Sequence, residues 1–454
     1  MPVGRLKVVF GEEAYLRFVV ALFALPWLAG TLFAQQSSQV PPTAPPPDQG
    51  PSPNPLTTLA SQFFDHDFFN FFAFVNGVYD SVPTNIDDRS VNEGGLGYDL
   101  GGGASAFKQF HDGFVSFAYR GDYRDYNSTF FPSGTDQSLS FSFAKRLSRR
   151  WSFNADINGG IFLYGGTFFA AQPSQVDYVQ TNPFSSESKF LSGGLSMSYR
   201  QTRRLSYVFN GQYYLNRYNI PGSIGATGIT GAASVLYRLT ARTTVGGTYS
   251  HTYFTYQRGA GQAQADTFVG TVSRSFTGHW FASASAGFTR TDSSGTISVP
   301  VLIIDGNNLI PGYEIGHYNR VSTFPSVVGT VSRQIRRSSI SVSGGQNIAS
   351  GNGVFLASKN LFLNGYYSYS TRRSNLSFGG GFSHLTSVAN TVTSSYTTSS
   401  FTASYAYNLM RHLGANLRYS LVRYGTIGSV GSLTDNRIMF GVYFSSKTVP
   451  LTLF

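Results

Sequence analysis

Residues 138–160 read SLSFSFAKRLSRRWSFNADINGG. Taken two at a time, one set is Leu139, Phe141, Phe143, Leu147, Trp151, Phe153, Ala155 and Ile157. The other set is Ser138, Ser140, Ser142, Arg146, Arg150, Ser152, Asn154, Asp156 and Asn158. A period of two with unlike faces marks a β-strand. The parity holds across the basic break SRR, so two strands meet there in a hairpin. A soluble protein turns the apolar face inward, whereas a membrane barrel turns it outward toward lipid. The rest of the chain decides between them.

The 454 residues carry only 12% charged side chains, against about 25% in an ordinary soluble domain, and 16% aromatic ones. Beyond the N-terminus no segment offers about 20 unbroken apolar residues, which excludes a helical membrane protein. Cysteine is absent, so there are neither disulfides nor thiolate metal sites. The net charge of +11 is spread without a dense Lys/Arg run, which argues against nucleic acid as a partner.

Arg5, Lys7 and Arg17 precede FVVALFALPWLAGTLFA, ending at Ala34. A basic region, an apolar region and a small residue at the cut predict a signal peptide over 1–34. Residues 35–67 follow as a leader on the periplasmic side. Its first part, QQSSQVPPTAPPPDQGPSPNP (35–55), is too polar and Pro-rich to bury a core and is expected to be extended.

From Phe68 onward strand-like segments alternate with two kinds of break. One is short and mostly basic: KQFHDG (108–113), LSRR (147–150), TRR (202–204), TAR (240–242), TGH (277–279), RR (336–337), RR (372–373) and RH (411–412). The other is longer and rich in Gly, Ser, Asn and Pro, as in SVPTNIDD (81–88), NSTFFPSG (127–134) and GTIGSVGS (425–432). Eight short turns separate nine hairpins, which predicts an all-β, antiparallel, up-and-down transmembrane barrel of about 18 strands, with 16 the next even count. The barrel is expected over 68–446, with a C-terminal tail over 447–454. The second face of the segments is mostly Ser, Thr, Asn, Gln and Gly. A soluble sandwich would carry Lys and Glu there, so this face is read as the wall of a water-filled lumen and the Leu/Phe/Trp face as the lipid side. Only a closed barrel places strands in lipid without unsatisfied backbone donors.

In the signal, the alternating segments, the turn asymmetry and the terminal Phe454, the chain resembles the bacterial outer-membrane barrels of porin type over about residues 68–446. The resemblance implies an outer-membrane location and contact with membrane lipid and lipopolysaccharide. It also implies barrel-insertion machinery that reads the C-terminal strand, and no cofactor, metal or catalysis. The chain departs from the pattern at its end, where DNRIMFGVYFSS (435–446) is followed by KTVPLTLF and Pro450 interrupts pairing. The expected role is passive diffusion of small hydrophilic solutes with a weak preference for anions or sugars. Polysaccharide export, or a plugged surface barrel that binds or supports, are the alternatives.

By parity the charges of the polar face include Asp99, Arg120, Asp122, Arg124, Asp156 and Arg418, the candidate lumen or constriction residues. Arg120, Asp122 and Arg124 stand at i, i+2 and i+4 of one strand and project together. The cluster Asp65, His66, Asp67 is read as lead-in rather than metal site. No nucleophile elbow accompanies the histidines, and His251 and His384 share the parity of the apolar face. GGLGYDLGGG (94–103) has neither the helix nor the Lys of a phosphate loop and is read as a strand whose glycines permit curvature and the close approach of a loop or plug. The inserts 165–188 and 296–321 are read either as surface loops or as segments that constrict the lumen.

Overall fold

The structure is a computed structural model. It describes residues 68–81, 94–127, 131, 133–162, 187–219, 224–276, 279–305, 308–349, 357–388, 395–425 and 433–446, with 68, 297–315, 424 and 433 as backbone only. The signal segment, the leader with Asp65–Asp67, the insert at 165–186 and the tail 447–454 lie outside the described residues.

The strands are β1 Phe68–Asp80, β2 Gly95–Phe110, β3 Gly113–Tyr126, β4 Gly134–Arg146, β5 Trp151–Phe162, β6 Ser188–Arg200, β7 Leu205–Tyr218, β8 Ala226–Arg238 and β9 Thr243–Tyr256. They continue as β10 Gly261–Ser275, β11 Trp280–Asp305, β12 Asn308–Ile335, β13 Ser338–Ala349, β14 Ser358–Ser370, β15 Ser374–Ser387, β16 Ser395–Asn408, β17 Leu413–Tyr424 and β18 Leu433–Ser445. Each pairs antiparallel with its neighbours in sequence, and β1 pairs with β18 from Phe72↔Ser445 to Asp80↔Arg437. The sheet is thus a closed ring of 18 strands, the fold that the alternation and the turn spacing predict.

Side-chain exposure follows the alternation. On β1 Phe71, Val75 and Tyr79 are exposed while Phe74, Asn76, Val78 and Asp80 are buried. On β4 and β5 Leu139 and Ile157 face out, and Ser142 and Asn158 face in. An apolar exterior of this extent, wrapped around a ring with no free edge, is that of a membrane-spanning barrel. The inner wall is tied by cross-strand hydroxyl pairs. Examples are Thr230–Thr252 at 3.0 Å, Thr267–Thr289 at 2.9 Å, Ser339–Ser368 at 2.7 Å and Ser377–Ser404 at 2.6 Å. Such pairs satisfy hydroxyls on a polar face and pin the register.

The eight short turns fall where the basic breaks do. Four share one device. The hydroxyl of Ser148, Thr202, Thr240 or Thr371 accepts hydrogen bonds from the amides two and three residues on, at 2.9 to 3.3 Å. The hydroxyl turn explains why Ser or Thr precedes the basic residues.

The other rim departs from expectation in two places. Residues 296–321, read from the sequence as a surface loop or a lumen-constricting segment, are strand-paired backbone rather than irregular loop. They prolong β11 and β12 into a paired ribbon that runs to Asp305↔Asn308. Pairing satisfies the backbone of an apolar, β-branched run such as VPVLII, which a free loop leaves exposed. The β9–β10 connection is also short: one tight turn over Gln257–Gly259 in which Arg258 adopts φ 59°.

Candidate functional site

Ring closure assembles a charged patch on the inner wall. Going around the ring, β17 contributes Arg418, β18 Asp435 and Arg437, β1 Asn76 and Asp80, β2 Asp99, β3 Arg120, Asp122, Arg124 and Tyr126, and β4 Asp136. All point inward because each differs by an even number of residues from a buried neighbour on its strand. Register then sets the partners: Asp80 stands opposite Arg437, Asn76 opposite Asp99, Asp99 opposite Arg124, and Asp122 opposite Asp136.

The bonds are specific. Arg437 reaches Asp80 Oδ2 with Nη2 at 2.6 Å and with Nε at 2.7 Å, and lies 3.6 Å from Asp435. Tyr126 donates its hydroxyl to the same Asp80 oxygen at 3.2 Å. Asn76 donates to Asp99 Oδ2 at 3.2 Å, and Arg124 Nη2 lies 3.8 Å from that oxygen. Arg120 Nε binds Asp122 Oδ1 at 3.2 Å, and its guanidinium sits 4.6 Å above the Phe74 ring. Arg120 and Arg124 therefore differ. The Arg120 side chain is 37% exposed with its partner Asp122 at 4%, while Arg124 and Asp99 are at 1% and 0%. Of the ladder read from the sequence, Arg120 meets the lumen and Arg124 is a wall component.

The glycine run of β2 makes this packing possible. Gly101 and Gly103 face inward beneath Phe72 and Phe74. A Cβ on Gly101 would come within 2.4 Å of the Phe74 ring and 2.6 Å of Asp122 Cβ, and one on Gly103 within 2.6 Å of the Phe72 ring. What approaches the glycines of GGLGYDLGGG is not a loop or plug but the β1 aromatics Phe72 and Phe74, and Arg120 stacks over Phe74.

Five of the six sequence candidates, Asp99, Arg120, Asp122, Arg124 and Arg418, are on the contiguous strands of this patch. The sixth, Asp156, faces the interior from β5 opposite Ser142 and Gly194. Among the described residues no ion pair joins it to the patch. Asp80, Asp136, Asp435 and Arg437 were missed. The three aspartates sit at strand ends beside Gly- and Asn-rich breaks, and Arg437 meets its partner only across 357 residues of sequence.

A second inner-wall feature is apolar. Tyr214, Phe254, Tyr256, Ala263, Ala265 and Phe324 are buried and packed together toward the longer-loop rim. His251 and His384 lie on the exterior, paired with Asp266 at 2.9 Å and Thr397 at 2.8 Å.

No family model matches the chain. No curated protein matches it. Among solved structures it is similar to a BenF-like porin from Pseudomonas fluorescens Pf-5, at 12% identity and TM-score 0.39, covering 85% of this chain and 100% of that one. It is also similar to OccK2 (OpdF) from Pseudomonas aeruginosa, at 13% identity and TM-score 0.38, covering 84% and 98%. A third is the ferric citrate transporter FecA, at 8% identity and TM-score 0.39, covering 84% and 79%.

Proposed function

We propose that the chain is an outer-membrane channel through which small hydrophilic solutes diffuse passively, with a weak preference for anions. The observation that carries this reading is the inner wall. It closes a ring of 18 strands, a size that leaves an aqueous channel, and it is lined largely by Ser, Thr, Asn and Gln.

The charged patch supplies the selectivity. Four arginines face five aspartates there, so the formal charges nearly cancel. Their exposure does not. Asp80, Asp99 and Asp122 are sunk in the wall while Arg120 stands out from it. A solute passing this side of the lumen meets a guanidinium before it meets a carboxylate. Salt screens that field within about 8–10 Å, so the preference is weak and acts where the passage is narrow.

The buried cluster around Tyr214, Phe254 and Phe324 favours a second reading, in which apolar groups narrow the longer-loop mouth and the barrel is gated or plugged. Planar-bilayer recordings separate the two. A steady conductance with reversal potentials displaced toward anions supports the channel; silence at all voltages supports the plugged barrel and rejects passive diffusion.

A further inference from the structure

We propose that the short-turn rim binds the anionic phospholipid headgroups of the leaflet around that end of the barrel. The inference rests on the membrane-spanning reading of the exterior. Ten of the 33 Lys and Arg residues stand in the eight short turns. The turns 147–150, 201–204 and 371–373 each end in an Arg pair, and Arg336–Arg337 is itself a turn. Among the described turn residues the one carboxylate is Asp112, paired with Arg146 at 3.1 Å.

Three further observations point this charge at lipid. First, the apolar exterior runs into the turns themselves. Leu147, Leu239, Phe276 and Leu409 continue the outward parity of the preceding strands and are exposed. The hydrocarbon boundary thus falls within a few residues of the guanidinium groups, at headgroup depth. Second, an aromatic belt lies at the same level: Trp151 packs on Tyr199 at 4.6 Å, and Arg333 stacks over Trp280 at 5.1 Å. Aromatic rings of this kind mark the interface. Third, the backbone amides of Arg150, Arg204, Arg242 and Arg373 are bound by the turn hydroxyls. The turns are held by their own hydroxyls, and Arg149, Arg150, Arg203, Arg204, Arg372 and Arg373 are exposed.

The far rim differs. Its outer face carries His251, Asp266 and Arg290 in one cross-strand row above Tyr249, Phe268 and Phe288, with both signs present. On this row the two signs stand together, whereas the described short turns carry ten Lys and Arg against one carboxylate. A zwitterionic headgroup brings its own cation, whereas a phosphatidylglycerol-type phosphodiester offers a net negative charge that a guanidinium pairs through two N–H groups.

Two of the three tryptophans, Trp151 and Trp280, report on this end; the third is Trp27. The full chain with Trp27→Phe is reconstituted in vesicles of dioleoyl phosphatidylcholine and phosphatidylglycerol, with bromine on one lipid or the other. Quenching of tryptophan fluorescence then gives the relative binding of the two lipids. The expected result is a preference for phosphatidylglycerol of about threefold or more that vanishes in 1 M salt. The preference also falls toward unity when Arg149, Arg150, Arg203, Arg204, Arg372 and Arg373 become Gln, with heat-modifiable gel mobility confirming a folded barrel. Should that variant fail to fold, the salt titration of the parent decides. Equal quenching by the two lipids at low salt overturns the proposal and leaves the rim to a soluble acidic partner. Absence of quenching by either lipid would instead show that the belt is outside the membrane, and the membrane-spanning reading would fail with it.

Discussion

Arg437→Met tests whether the closing seam is locked by charge. Arg437 makes two contacts under 3 Å with Asp80 Oδ2 and lies 3.6 Å from Asp435. Asp80 is wholly buried. Removing one partner of a buried pair costs about 3–5 kcal/mol, because the other charge is left without compensation. Tyr126 still donates to Asp80 at 3.2 Å, which retains about 1 kcal/mol. The expected loss is therefore near the lower end, about 3 kcal/mol. Adding Asp80→Asn removes the stranded charge and keeps an acceptor for Tyr126. The double variant is expected to recover to within about 1–2 kcal/mol of the parent, since a neutral replacement of a buried pair is often tolerated. The assay is equilibrium urea unfolding in lipid vesicles followed by tryptophan fluorescence, with the four proteins of the cycle compared. A loss for Arg437→Met within 1 kcal/mol of zero would refute the reasoning, as would a double variant whose loss equals the sum of the singles.

Arg120→Glu is expected to move the reversal potential in planar bilayers toward cations with little change in stability. Arg124→Glu is expected to destabilise the barrel, since it buries a like charge 3.8 Å from Asp99. Gly101→Val should cost about 1–3 kcal/mol in urea unfolding because its Cβ meets the Phe74 ring, whereas Gly211→Ala, with nothing within 4 Å, should be neutral or slightly stabilising. For topology, cysteine replacing Arg258 should be labelled by an impermeant reagent on whole cells and cysteine replacing Arg336 should not; the reverse pattern inverts the barrel.

The class of fold was legible in the sequence, and the strand count to about 18 with 16 left open. A lipid-exposed wall is written into each strand separately, as apolar residues at i, i+2 and i+4, and each hydroxyl-plus-Arg turn punctuates the chain locally. Leu139, Phe141 and Phe143 need no partner strand to show their period. The same locality explains the inward placement of Asp99, Arg120, Asp122, Arg124, Asp156 and Arg418. It failed where a segment is apolar on both faces. FFNFFAFV at the start of β1 gives no sign that Phe72 and Phe74 point inward, and only the β1–β2 register shows Gly101 and Gly103 making room for them. It failed again at 296–321, where composition suggested a surface loop or a lumen-constricting segment and local hairpin pairing made a ribbon. What the tertiary structure decided was partnership. Asp80 and Arg437 meet because the ring closes, and Arg120 rather than Arg124 reaches the lumen because of what packs over each. Parity is a property of one strand, fixed by backbone geometry. The neighbour across a strand is a property of register and closure, set by contacts between residues hundreds of positions apart.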